Sequence, residues 1–351
     1  MIKFTARLIC IKIFNKVDDL DATIKEVQDD VNRIKQNGVN KIILLSHLGI
    51  DFERSIAQKV NDLDIIWGGH THTFFKEAKE GENLFYSPKG EPVLIVQSGK
   101  DGEYIGVPNL KFDEYGQIVD IDYQVIRTDD YERHKELKAN FEKFSKNAKA
   151  IGNIRSVDSR FEKTYIEENP NSNFMLDCLK SETGADIAVM NSASMRNVFS
   201  TGKLSTFDLE NVNPFMDKIA VIRASEKELV EAIKQRVKAT SQSPNYRPGI
   251  LQVSGLRYEF NKQTGDVVAM SYVDKSGKEI KIDVNNPSDK MYTVAVNKFC
   301  VKDEYSGLGL KHRLENLVKD DGFEIKKYIT DWCLKHNEPI DIKLDGRIIA
   351  I

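Results

Sequence analysis

The sequence predicts an α/β fold of two domains joined by a charged helix, on three observations. Near the start, apolar runs that end in glycine- and histidine-bearing loops alternate with segments of helical spacing. A glycine-free, highly charged stretch then runs from Thr128 to Lys149. The length of 351 residues is also more than a single core ordinarily holds.

The elements follow in order. Ile24, Val27, Val31 and Ile34 recur at helical spacing, and Asn37-Gly38 gives that helix a stop. Lys41 to Leu45 is continuously apolar after its lysine and reads as a buried strand. Asp51 to Val60 is polar and helix-compatible, and Leu63 to Trp67 is a second apolar run ending at Gly68-Gly69. Strand, helix, strand implies a parallel pair. Ligands of open α/β sheets collect beyond the carboxyl ends of the strands, and His47, His70 and His72 all stand at such ends. A single histidine is ordinarily a surface or core residue. Three in matched positions point to a divalent metal site, with Zn or Mn the ions that suit imidazoles completed by oxygen ligands.

Between Thr128 and Lys149, Leu137, Phe141, Phe144 and Ala148 keep roughly helical spacing, which predicts an interdomain helix. A solvated surface helix inside one domain fits the same pattern. The domain reading is therefore 1–127, a helix within 128–150, and 151–351. In the last part, Asp186 to Met190 reads as a buried strand leading into the polar turn Asn191 to Arg196.

Composition narrows the function classes. Hydrophobic content of 40% is ordinary for packed cores, and a net charge of −3 with mixed signs argues against a nucleic-acid polymer or an anionic membrane as partner. Cys10, Cys178, Cys300 and Cys333 are widely spaced and form no Cys-x-x-Cys pair, so they read as buried apolar residues. The segment Lys3 to Phe14 is interrupted by Lys12 and is too short for a signal core, and no stretch reaches transmembrane length. As written, the chain is expected in the cytoplasm.

The motifs resemble one family throughout. Ile42 to Gly49, Asp64 to Thr73, Val93 to Gly99, Gly102 to Gly106 and Leu110 to Asp113 are similar to the metallophosphatase domain of the two-domain 5′-nucleotidases. Glu168 with Asn173 to Asp177, Gly184 to Asn191 with Arg196, Pro214-Phe215, Leu251 to Leu256 and Tyr292 to Phe299 resemble its C-terminal domain. Occurrence in family order makes chance agreement improbable. The resemblance implies a partial metallophosphatase-type β-sandwich with flanking helices, a linker helix, and a 5′-nucleotidase C-terminal α/β domain. It also implies that His47 and His70 bind one ion and His72 contributes to its neighbour. Asn191 and Arg196 would hold the base or ribose, and Phe215 and Phe299 would sandwich the nucleobase. The family is commonly exported.

Departures from the family pattern are expected to matter. Ser192, Ala193 and Ser194 replace three glycines of the nucleotide loop, Tyr165 replaces an arginine, and Asp303 to Gly307 replaces a Gly-Gly-Asp-Gly segment. The family's Asp-x-His, Gly-Asp-x-x-x-Gly and Gly-Asn-His motifs do not occur, so the chain reads as beginning midway through its first domain. Those motifs hold the bridging aspartate, further ligands and a catalytic histidine, and no catalytic residue is assigned here. Two ions about 3.5–4 Å apart need anionic bridging ligands, whereas three imidazoles hold one ion or none. The expected function is metal-dependent hydrolysis of nucleotide phosphoesters, impaired in this chain alone or completed by a separate polypeptide. The alternative is a non-catalytic protein that binds a nucleotide or another small ligand.

Overall fold

Helix α1 (Leu20–Gln36) begins where the Asp19 carboxylate accepts a hydrogen bond from Ala22 N at 2.8 Å, satisfying one of the first turn's free donors. It ends at Asn37-Gly38, the glycine taking the left-handed φ of 79° that a side chain would resist. The computed structural model describes residues 19–146, 148–158, 165–242, 249–298, 301 and 317–351. The sequence's expectations for Lys3 to Phe14 with Cys10, for Phe299 and Cys300, and for Asp303 to Gly307 fall outside these residues. The chain divides into two units, Met1–Lys135 and Glu136–Ile351.

In the first unit, β1 (Ile43–Leu45), α2 (Ile50–Lys59), β2 (Ile65–Trp67), β3 (Leu84–Tyr86) and β4 (Pro92–Val96) follow α1. The sheet order is β1-β2-β4-β3, with β1, β2 and β4 parallel and β3 antiparallel. This bears out the strand-helix-strand reading. A ribbon of β5 (Tyr104–Phe112) and β6 (Ile118–Arg127) packs Tyr123 against the same core as Ile56, Ile66, Leu94 and Ile95.

One expectation is corrected. The run Lys41 to Leu45 is not a buried strand throughout: Ile43 is 42% exposed and Leu45 77%. Among the described residues β1 pairs with β2 alone, so it is an edge strand, and an apolar run gives no sign of which flank goes uncovered.

Helix α3 (Lys135–Lys146), which falls within the expected 128–150, starts at the last residue of the first unit and continues into the second. Its Phe141 meets Phe207 edge to face at 5.8 Å between ring centres, so the helix packs on the second unit. Next come β7 (Ala150–Val157), α4 (Pro170–Thr183), β8 (Ile187–Asn191), β9 (Gly202–Ser205), α5 (Thr206–Val212), β10 (Ile219–Ser225) and α6 (Glu226–Gln242). The strands β11 (Leu251–Ser254), β12 (Leu256–Phe260), β13 (Val267–Val273), β14 (Glu279–Ile282), β15 (Met291–Asn297) and β16 (Leu317–Lys319) follow. Helix α7 (Ile325–Lys335), β17 (Ile340–Ile342) and β18 (Ile348–Ala350) complete the unit.

A mixed sheet in the order β11-β8-β15-β10-β16 divides this unit into two cores. Alternate residues of β8 face them in turn. Ile187 and Val189 join the core with α6 and the sheet β14-β13-β12-β18, while Ala188 and Met190 join the core with α4, α5 and α7. Strand β8 is therefore buried on both faces, as its unbroken apolar sequence requires.

Candidate functional site

The three parallel strands of the first unit all deliver loops to one end of the sheet, because parallel neighbours end on the same side. Backbone pairing continues beyond the strands: Ser46 N donates to Trp67 O at 2.8 Å, and Gly68 N to Val96 O at 2.9 Å. His47 and His70 are thus carried on loops whose first residues are still held in register.

The two imidazoles meet, with ring centres 5.3 Å apart and planes at 74°. Small residues make room for them. A side chain at Gly69 would place its Cβ 2.8 Å from His47 Nδ1, and one at Gly49 would stand 3.4 Å from His70 Cδ2. His70 and His72 also have φ of 70° and 57°, and only two other non-glycine residues among those described share the left-handed region. That conformation costs roughly 1–2 kcal/mol for an L-residue, so the loop holds strain where the function is expected.

The loops share a buried acid that sequence reasoning passed over. Glu53, wholly inaccessible in α2, accepts from Ser46 Oγ at 3.0 Å, Gly69 N at 3.1 Å and Gln97 Nε2 at 2.7 Å. Gln97, just after β4, in turn accepts from Thr73 N at 3.0 Å and Thr71 Oγ1 at 3.2 Å. The available signal was an acid on the core-facing stripe of Ile50, Ile56 and Ala57.

With zinc-to-nitrogen bonds of about 2.0–2.1 Å in tetrahedral arrangement, two ring centres stand roughly 5 Å apart. The 5.3 Å observed between His47 and His70 matches. Two imidazoles are only part of a ligand set. No group of three or more His, Cys, Asp or Glu side chains with metal-holding geometry occurs among the described residues.

In the second unit, two of the four residues expected to bind ligand, Arg196 and Phe215, meet, while Asn191 bonds within its own turn. Arg196 N donates to Val212 O at 2.8 Å at the end of α5, and its guanidinium lies 5.1 Å from the Phe215 ring centre. Asn191 Oδ1 accepts from Ser194 Oγ at 2.8 Å, and Ser194 O accepts from Asn213 Nδ2 at 3.1 Å. The residues in place of glycine turn inward: Ser192, Ala193 and Ser194 are all buried. Ser192 Oγ donates to Ile250 O at 3.0 Å and accepts from Gln252 Nε2 at 2.9 Å. Glu168 and Asp177 serve the fold, Glu168 accepting from Asn173 Nδ2 at 2.6 Å and Asp177 from Ser254 Oγ at 2.6 Å.

Comparison with known proteins agrees with this architecture. Residues 148–308 match the family described as 5′-nucleotidase, C-terminal domain. A trifunctional nucleotide phosphoesterase of Bacillus subtilis is 27% identical over 345 residues, covering 93% of this chain and 22% of that protein. The human 5′-nucleotidase is 23% identical over 358 residues, covering 93% and 61%. The crystal structure of a 5′-nucleotidase precursor from Thermus thermophilus superposes with a TM-score of 0.76 at 24% identity, covering 95% of this chain and 68% of that one. The protein is thus a two-unit α/β chain of the 5′-nucleotidase fold. Residues 148–308 match the 5′-nucleotidase C-terminal domain, and the chain is similar to 5′-nucleotidases over most of its own length. It spans 22% and 61% of the length of these two curated relatives.

Proposed function

We propose that the chain serves metal-dependent hydrolysis of nucleotide phosphoesters, its first unit holding the ion and its second unit the nucleotide. The observation that carries this reading is the His47–His70 pair at the carboxyl ends of adjacent parallel strands. A divalent ion held there, zinc or manganese by ligand chemistry, supplies Lewis-acid polarisation of a phosphoryl oxygen. His47 and His70 bind it as neutral imidazoles, and Arg196 with Phe215 offers a fixed donor fork and a stacking face to the nucleotide. Two imidazoles cannot offset the repulsion of two dications. Full hydrolysis therefore needs carboxylate ligands beyond this pair, and the 351-residue chain by itself is expected to release phosphate slowly.

The test is equilibrium dialysis of Zn²⁺ and Mn²⁺ against the chain and its His70→Ala variant, beside phosphate release from AMP. One ion bound per chain and lost with His70 supports the reading; no ion bound sinks it. A second reading, ligand binding without turnover, is favoured by the inward-turned serines, which fill with side chain the loop where the family has glycine. Saturable AMP binding without phosphate release, even when carboxylate-bearing segments of a relative are added, would decide for it.

A further inference from the structure

We propose that Glu53 is a positioning residue whose carboxylate fixes the His47 and His70 loops relative to each other; the metal-binding part of the proposal rests on the reading above. An acid taken wholly out of water costs several kcal/mol unless it is fully hydrogen-bonded, so the partners of Glu53 show what its burial serves. None of its three donors belongs to α2. Ser46 precedes His47, Gly69 precedes His70, and Gln97 grips Thr71 and Thr73 on either side of His72. One carboxylate thus joins the ends of β1, β2 and β4. A helix residue needed only for packing would be apolar here, like Ile50 and Ile56 beside it.

Gly68 adds an independent observation. A Cβ built on it would collide with the carboxylate carbon of Glu53 and both its oxygens, although Gly68 needs no left-handed backbone. A side chain at Gly68 would displace the Glu53 carboxylate. The second acceptor oxygen also matters: an amide in its place brings its own N–H₂ against a donor, so one of the three bonds must break. Residues that orient metal-binding histidines from behind typically change affinity by about 10- to 100-fold when altered.

The experiment uses the full chain, its Glu53→Gln variant and its Gly68→Ala variant, the last keeping the carboxylate but displacing it. Cobalt(II) is titrated by its visible absorption, which reports ligand number. Imidazole nitrogen and proton signals are recorded on the metal-free proteins and assigned with His47→Gln and His70→Gln. The expected result is a cobalt affinity about 10- to 100-fold weaker in both variants, with the His47 and His70 signals displaced together and cooperative unfolding retained. Wild-type affinity, absorption and imidazole signals in both variants would overturn the proposal. If the wild-type chain binds no cobalt, the metal reading falls, and the imidazole signals alone decide: displaced signals support Glu53 as the positioning residue, unchanged ones reject it. Should Glu53→Gln fail to fold, Gly68→Ala gives the same decision.

Discussion

Arg347 grips Asp177 through both terminal nitrogens, at 2.8 and 2.9 Å, and so ties the residue before β18 to helix α4. The same guanidinium donates to Asp345 and to Val253 O on β11. Burial works against its charge, but the hydrogen bonds to Asp345 and Asp177 outweigh that and raise its pKa above the usual arginine value. Removing one partner of a buried pair costs about 3–5 kcal/mol when the other is left dry. The Asp177 side chain is half exposed and can be rehydrated, so the Arg347→Ala loss is expected to be nearer about 2 kcal/mol. Urea unfolding checks this, and Arg347→Lys should recover less than half because it cannot fork.

Asp64 makes stability depend on pH. Burial raises its pKa to about 6, with the Glu91 charge adding to the rise and the bond from Ile42 N at 2.6 Å opposing it. Lys41 and Asp62 act on it more weakly and with opposite signs. The folded pKa lies above the unfolded value near 4, so the folded state binds more protons between those values. The contribution of Asp64 to stability is therefore present below about pH 4 and lost as pH rises through 6. Asp64→Asn should gain on the wild type by roughly 2–3 kcal/mol across that window and run parallel to it above. Urea midpoints measured from pH 4 to 8 decide the matter; parallel curves throughout would reject the assignment.

Much of this was legible in the sequence because periodicity and glycine placement are local. Ile24 to Ile34 gave a helix, Leu63 to Trp67 a strand, and Gly68-Gly69-His70 the loop beyond it, each with the physical consequence found. What stayed hidden depends on neighbours distant in the chain. Glu53 on a polar helix reads as a solvated charge until Ser46, Gly69 and Gln97 are seen to converge on it. Ile43 and Leu45 read as buried because an apolar run does not tell how many neighbouring strands cover it. Arg347, among the last residues, gave no sign of its reach back to Asp177.

The left-handed backbone at His72 predicts an inverted preference between two small residues. At an ordinary position glycine is less stable than alanine by about 0.5–1 kcal/mol, because it loses more freedom on folding. At φ 57° the alanine Cβ is the greater cost. His72→Gly should therefore exceed His72→Ala in stability by up to about 1 kcal/mol, although both lack the imidazole. Thermal unfolding of the two metal-free variants measures the difference. Alanine more stable than glycine would show that the loop does not keep this conformation.

Arg196 over Phe215 sets the last expectation. A cation 5.1 Å from the ring centre is attracted by its face, worth about 0.5–1 kcal/mol at a partly exposed site. If the Phe215 ring also stacks on a nucleobase, its loss should cost about 1–3 kcal/mol of binding, or roughly 5- to 150-fold in affinity. Calorimetric titration of AMP into the wild type, Phe215→Ala, Arg196→Ala and the double variant separates the two contacts. Both single variants should weaken binding, and the double should lose less than the sum, because each removes the partner that orients the other. Undiminished affinity in Phe215→Ala would remove the ring from the nucleotide site and leave the pair as a surface contact between the loop after β8 and the loop after α5.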